Sequence, residues 1–322
     1  MKRFSSKNNF LYFLMLVFVF VVSSGLAISG KVPDLVSGLP VVAGETKHFP
    51  PIPVISGNST FPIISAEGAV AADIDSGIPL YEKNPDSPFL PASTTKIITA
   101  LVALDSYPLD AVLVVPQKAA VDGQKMGLVP GERMKVENLL YGLLVYSAND
   151  AAETLAQNYC APRSQGQAGP GPCGYDAFIA AMNDKAKALS MNNSHFANPV
   201  GLDEDGQRST ARDLVRASEV AMRNPEFAKI VGTKQITISD VSGKNVYNLT
   251  NLNELLGAVP GVLGVKTGWT ENARENLVTY LERDGHRVLI AVLGSQDRFG
   301  ETKELIDWIF ANYKWEEVKP TN

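Results

Sequence analysis

Ser93-Thr94-Thr95-Lys96, Ser147-Ala148-Asn149 and Lys266-Thr267-Gly268 follow one another along this chain, and together they supply what acyl transfer needs without a histidine base. A serine hydroxyl is a poor nucleophile until a neighbouring group takes its proton. Residues three apart on a helix share a face, with Cβ atoms about 5–6 Å apart, so Lys96 reaches the Ser93 hydroxyl. Lys96 can accept a proton only when neutral, and burial plus a second cation are what lower a lysine pKa. Lys266 is the natural second cation, and its charge also attracts a peptide carboxylate. The Ser147 hydroxyl is suited to relaying a proton to a leaving amine. Asn149 offers a paired donor and acceptor to Lys96 and to a substrate amide. Backbone N–H groups at the Ser93 helix N-terminus and at Trp269, on the edge of the Lys266 strand, are placed to meet a developing oxyanion. Taken singly the motifs are weak: Ser6-Lys7-Asn8 and Ser56-Gly57-Asn58 match the second pattern, and Ser and Asn often serve as caps. Their order and surroundings carry the weight.

Other catalytic chemistries find less support. His48, His195 and His286 form no Ser-His-Asp relay on any local pattern, and His-Glu-x-x-His is absent, which disfavours a zinc peptidase. His195 is expected to anchor its loop through hydrogen bonds. No cofactor and no metal are expected. Cys160 and Cys173 flank a Gly/Pro-rich segment, and in an exported chain that arrangement predicts a disulfide. Closing a loop of this length is worth about 3 kcal/mol in the chain-entropy model. A metal or redox pair is disfavoured, because the spacing is not Cys-x-x-Cys and no histidine lies nearby.

The elements that must position these groups can be read from periodicity. Ala66 to Asp75 reads as a strand, Ser76 to Pro79 as a turn and Leu80 to Lys83 as the hairpin partner. From Ser93 the apolar pattern of Ile97, Ile98, Leu101, Val102 and Leu104 is a buried helix stopped by Pro108. Val136 to Val145 and Asp150 to Tyr159 read as helices with Ser147 to Asn149 in the turn between them. Further helices are expected at Tyr175 to Leu189, Ala211 to Arg223 and Phe299 to Tyr313. Gly261 to Gly268, Glu275 to Arg283 and Arg287 to Gly294 read as strands, the last two joined by a hairpin turn at Asp284-Gly285. This pattern gives an α/β fold with helices flanking an antiparallel sheet.

At 322 residues, 45% hydrophobic and 20% charged, the chain can build one large globular core. Lys2, Arg3 and Lys7 precede an unbroken apolar run from Phe10 to Val22, and no charge follows until Lys31. Residues 1–29 therefore read as an export signal, either cleaved after the small residues Ala27-Ile28-Ser29 or kept as an anchor in the cytoplasmic membrane. Residues 30–62 are Pro-rich and read as an extracytoplasmic linker, with an edge strand around Val54-Ile55 as the alternative. Residues 63–315 are assigned to a catalytic domain and 316–322 to a tail. A net charge of −5 gives no footing for nucleic-acid binding.

Four segments resemble the D-alanyl-D-alanine carboxypeptidases, the low-molecular-weight penicillin-binding serine peptidases. They are Pro91-Ala92-Ser93-Thr94-Thr95-Lys96-Ile97-Ile98-Thr99-Ala100-Leu101, Ser147-Ala148-Asn149-Asp150-Ala151-Ala152, His195-Phe196-Ala197-Asn198-Pro199-Val200-Gly201-Leu202-Asp203 and Gly264-Val265-Lys266-Thr267-Gly268-Trp269-Thr270. The resemblance implies the penicillin-recognising serine enzyme fold, an antiparallel sheet beside a helical subdomain with the site between them. It also implies removal of the terminal D-alanine from peptidoglycan stem peptides through an acyl-enzyme on Ser93, with β-lactam antibiotics as covalent inhibitors. Ser93, Lys96, Ser147 and Asn149 are then catalytic, and Lys266, Thr267, Gly268 and Trp269 bind substrate, with the Ser93 and Trp269 N–H groups as oxyanion hole. Arg298, in Asp297-Arg298-Phe299, matches an arginine that grips the substrate carboxylate.

Departures from the family pattern are Arg274, where relatives usually carry glycine, and the Cys160 to Cys173 segment, where they have a short connection. The chain also stops too soon after Lys266-Thr267-Gly268 for the β-rich carboxy-terminal domain and amphipathic tail of many relatives, so membrane attachment is expected at the amino end. The alternatives are a β-lactamase, a D,D-endopeptidase and a penicillin sensor that does not turn over. For the first, Asp203, Glu204 and Asp205 do not match the Glu-x-x-x-Asn pattern of a water-activating carboxylate.

Overall fold

The uninterrupted apolar run Val288 to Leu293 forms the middle of a sheet buried on both faces. The computed structural model describes residues 49–56, 60–117, 122–161 and 171–318. In chain order it holds β1 (Ile52–Ile55), β2 (Gly68–Asp73), β3 (Pro79–Lys83) and a 3-10 turn (Ala92–Thr95) running into α1 (Lys96–Ser106). Then come β4 (Val112–Val114), β5 (Arg133–Lys135), α2 (Val136–Val145), α3 (Asn149–Gln157), α4 (Tyr175–Ala188), α5 (Ala211–Met222) and α6 (Pro225–Val231). The chain closes with β6 (Gln235–Ser239), β7 (Val246–Thr250), β8 (Val262–Thr270), β9 (Arg274–Arg283), β10 (His286–Ser295), α7 (Arg298–Asn312) and β11 (Tyr313–Glu316).

Five antiparallel strands form the main sheet in the order β3-β2-β10-β9-β8, which leaves β8 on an edge. Alternation along β10 sorts its residues into two cores. Val288, Ile290 and Val292 pack with Leu305, Ile306 and Ile309 of α7, whereas Leu289, Ala291 and Leu293 face the helical side. On that side α1 is buried along the whole run from Lys96 to Ala103, and α2 from Leu139 to Val145. A helix apolar on every face can only be central, and α1 is the helix around which α2, α4 and α5 pack. The β9 to β10 hairpin turns at Asp284 and Gly285, both at positive φ, as the Asp-Gly signal predicts. The α/β class and the antiparallel sheet flanked by helices stand as the sequence implies.

Within the linker read over residues 30–62, the edge strand given as the alternative around Val54-Ile55 is present. Residues 52–55 are β1, paired antiparallel with β11 from Ile52 against Glu316 to Ile55 against Tyr313. Glu316, assigned to the tail, is part of the same ladder. Trp315 fixes this two-stranded clasp to the main sheet: its ring stacks on His286 at 4.1 Å and its Nε1 donates to Asp73 Oδ1 at 2.9 Å. The pairing is invisible to local pattern because its strands stand at opposite ends of the chain. The expected export segment 1–29, the first part of the linker up to residue 48, the loop 162–170 and the last tail residues 319–322 lie outside the described residues. Among the described residues no helix is long and apolar enough to cross a membrane.

Candidate active site

Ser93 sits in the 3-10 turn that enters α1, between Ala92 at φ +47° and Lys96 at the first turn of the helix. The short spacing works as expected, with Lys96 Nζ 2.9 Å from Ser93 Oγ. Lys96 is fully buried, and its amine also lies 2.7 Å from Asn149 Oδ1 and 2.6 Å from the Val200 carbonyl oxygen. Both of those oxygens can only accept. A neutral amine has two N–H donors and one lone pair, so donating to Asn149 and Val200 leaves the lone pair aimed at the Ser93 hydroxyl. Burial, reinforced by the nearby Lys266 cation, holds the Lys96 pKa well below the ordinary lysine value.

The Val200 carbonyl is supplied by a loop that is wedged against the Ser93 turn. Asn198 Oδ1 accepts from the N–H groups of Gly201 and Leu202 at 2.7 and 3.1 Å, and Thr99 Oγ1 donates to the Pro199 carbonyl at 2.6 Å. Gly201, at φ +87°, has no room for a side chain: a Cβ there would fall 1.9 Å from the Ala92 carbonyl oxygen. Gln207 ties the same loop to the helix, accepting from Ala197 N and donating from Nε2 to Thr95 Oγ1 at 2.9 Å. His195 stays in this loop, its backbone bridged to Arg208 and its Nδ1 3.1 Å from the Gly206 carbonyl oxygen, an anchoring arrangement remote from any triad.

Ser147 occupies the turn between α2 and α3 at φ +62°, in the left-handed region where a residue with a Cβ is strained by about 1–2 kcal/mol. That turn sends its hydroxyl to Lys266, whose Nζ donates to Ser147 Oγ at 2.8 Å and to the Thr267 carbonyl at 2.9 Å. Lys266 is buried on β8, and burial followed by the charge of Arg298 lowers its pKa to about 7. Gly268 is favoured by close approach, since a Cβ there would stand 3.0 Å from Ser93 N and 3.1 Å from the Pro91 carbonyl oxygen, in the space beside Ser93. Arg298 begins α7 with its Nη1 donating to the Gly268 carbonyl at 2.9 Å.

Ser93, Ser147, Asn149, Thr267, Gly268, Trp269 and Arg298 therefore line one cleft of about 550 Å³, with Lys96 and Lys266 immediately beneath its floor. Cys160 and Cys173 are joined by a disulfide outside this cleft, beyond the end of α3. Arg274 explains its own oddity. It follows the turn after β8 at φ +56°, a conformation glycine adopts without strain, and its Nη1 pairs with Glu67 at 3.2 Å.

Asp150 is the residue that motif reading passed over. Almost wholly buried, it accepts from the N–H groups of Met126, Gly127 and Leu128 at 3.2, 2.8 and 2.9 Å. Asn149 N donates to the Gln124 carbonyl at 2.7 Å, so the two neighbours fix the segment that forms the opposite wall of the cleft. An acidic residue in the first turn of a helix was the one signal in the sequence, since a carboxylate there meets free N–H groups.

An antiparallel sheet whose edge strand carries a lysine, set against a helical unit that carries a serine-lysine pair, defines a penicillin-recognising serine enzyme. A family model described as D-alanyl-D-alanine carboxypeptidase matches residues 56–297, and the chain belongs to that family of serine-type carboxypeptidases. It is 35% identical over 265 residues to a D-alanyl-D-alanine carboxypeptidase of Mycobacterium tuberculosis, covering 80% of this chain and 86% of the relative. It is 33% identical over 267 residues to the D-alanyl-D-alanine carboxypeptidase of a Streptomyces species, covering 78% and 89%. The crystal structure of the Streptomyces K15 DD-transpeptidase matches with a TM-score of 0.72 at 32% identity, over 79% of this chain and 100% of that one.

Asp150→Asn is expected to set an amide N–H₂ against backbone donors and leave them unpaired, lowering stability by about 1–3 kcal/mol. It also removes a negative charge that raises the Lys96 pKa, so the acid limb of the acylation rate should move to lower pH. Thermal unfolding together with a pH profile of penicillin acylation checks both, and a limb that stays in place would separate Asp150 from Lys96.

Proposed function

We propose that Ser93 is the acylated nucleophile, and that the chain removes the terminal D-alanine from peptidoglycan stem peptides and is acylated by β-lactams at the same atom. The observation that carries this reading is the Lys96 amine, held between two acceptor oxygens 2.9 Å from Ser93 Oγ. Neutral Lys96 takes the Ser93 proton as Oγ attacks the carbonyl of the penultimate D-alanine. The carbonyl oxygen, now charged, meets the N–H groups of Ser93 and Trp269. Ser147, bonded to Lys266, passes its hydroxyl proton to the departing nitrogen and takes up the one Lys96 gained, so the C–N bond breaks, D-alanine leaves and Lys96 is neutral again. Water then attacks the ester carbonyl, giving up a proton to neutral Lys96, which returns it to Ser93 Oγ as the Oγ–acyl bond breaks and the shortened peptide departs. Lys266, Thr267 and Arg298 attract the terminal carboxylate throughout.

A β-lactamase reading gains nothing from the cleft. Asp203 and Glu204, which follow Asn198 in sequence, do not line the cleft, and Glu204 accepts from Asn198 Nδ2 at 2.9 Å. Endopeptidase action on cross-linked peptides uses the same steps and differs only in the leaving amine.

Residues 1–29 are proposed to export the chain, with the basic residues at positions 2, 3 and 7 kept on the cytoplasmic side. The catalytic unit then faces the wall, either released or held by an uncleaved anchor in the cytoplasmic membrane. Fractionating cells and sequencing the mature amino terminus distinguishes these, and an active domain in the cytoplasm would overturn the reading.

Ser93→Ala is expected to abolish both D-alanine release from a stem pentapeptide and labelling by a fluorescent penicillin, and Lys96→Ala to slow acylation by about 10²–10⁴-fold. Undiminished labelling of Ser93→Ala would sink the assignment. The profile of kcat/KM against pH should rise as Lys96 loses its proton, well below the ordinary lysine range, and fall near 7 as Lys266 loses its charge. Because a bound carboxylate raises the Lys266 pKa, the falling limb of kcat should lie higher than that of kcat/KM. Lys266→Arg keeps the charge and should remove the falling limb, and a limb that persists in that variant assigns it elsewhere.

A further inference from the structure

Two charged residues of opposite sign line the cleft. Arg298 donates to the Gly268 carbonyl, and Glu271 stands just beyond the last residue of β8. Glu271 is exposed, and its carboxylate has no hydrogen-bond or ion-pair partner among the described residues. It is also the one carboxylate among the described residues that line the cleft.

The residues on either side of it are held firmly. Thr270 Oγ1 donates to Asp203 Oδ1 at 2.8 Å and Asn272 Nδ2 donates to Asp203 Oδ2 at 3.0 Å. Thr270 Oγ1 in turn accepts from Ala273 N at 3.0 Å. Asp203 stands in the loop that supplies the Val200 carbonyl to Lys96, so one carboxylate ties two walls of the cleft together and leaves Glu271 unpaired between two pinned neighbours.

A peptide laid antiparallel along the β8 edge advances about 3.3 Å per residue. With its carboxylate at Thr267 and Arg298 and its scissile carbonyl between Ser93 and Trp269, its acyl portion runs toward Thr270 and Glu271. Glu271 is two residues past Trp269, roughly 7 Å further out. A long side chain on the residue preceding the acyl D-alanine spans that distance. We propose that Glu271, presented by a turn that Asp203 holds in place, selects donor peptides with a cationic side chain on the residue before the acyl D-alanine. This rests on the carboxypeptidase reading and names the acyl-side chemistry of the same cleft.

The test compares two peptides with the full chain: Nα-acetyl-lysyl-D-alanyl-D-alanine with a free ε-amine, and the same peptide acetylated at that amine. Wild type should favour the free amine in kcat/KM by about three- to five-fold, the range of an exposed ion pair, and less at high salt. Glu271→Gln should bring the ratio near one, and Glu271→Lys should invert it. Asp203→Ala, a change in positioning only, should lower the ratio while Glu271 is intact, which a general loss of stability would not do. A ratio near one in wild type, or a ratio unmoved by both Glu271 variants, overturns the inference while D-alanine release stands. No release from either peptide by wild type overturns the carboxypeptidase reading and this inference with it.

Discussion

A lysine amine sealed between two oxygens that can only accept is the constraint on which the rest of this structure depends. Burial, with the Lys266 cation nearby, favours the neutral form of Lys96, and its three neighbours offer no counter-charge. In the neutral form the two acceptors orient its lone pair toward Ser93 Oγ. Each acceptor comes from a different part of the chain: Asn149 from the start of α3 and Val200 from a loop locked by Asn198, Thr99 and Gln207. The hydrophobic packing that surrounds α1 on every side is therefore also what sets the proton affinity of its first residue.

The second constraint is that β8 must be an edge. A strand paired on both sides could not present backbone N–H groups to a substrate, yet an exposed edge invites pairing with other chains. Here the nucleophile turn packs against the edge at Gly268, and the loop carrying Asp203 is bonded to the turn that follows it. The edge is thus covered at Gly268 and again from Thr270 onward, with Trp269 exposed between the two contacts. Behind it, β9 and β10 are buried on both faces and give β8 a rigid backing.

Much of this frame was legible in the sequence, because its strongest signals are local. Period-3.6 runs gave α1 and α2, the Asp-Gly pair gave the last hairpin, and the spacing of Ser93 and Lys96 gave their contact. What was not legible depends on partners distant in sequence. β1 reads as linker or edge strand alike, because four residues of Ile, Pro and Val become a strand only against Tyr313 to Glu316. The Val200 carbonyl has no residue-type signature at all, since any residue could supply it. Asp150 looked like one more acid in a helix, and only the fold shows the three N–H groups that it collects.

Positive φ at Ala92, Ser147 and Arg274 gathers around the cleft, each at about 1–2 kcal/mol against an ordinary conformation. Glycine would relieve all three, but at Ser147 it would delete the hydroxyl that Lys266 holds, and at Arg274 the contact with Glu67. Ala92 lies against the Gly201 loop, which is the side of that contact where the space was given up. Strain is kept where a side chain is needed, and glycine is used where only backbone must pass. The two cores on either side of the main sheet hold these conformations in place, so the geometry of the site does not depend on substrate to create it.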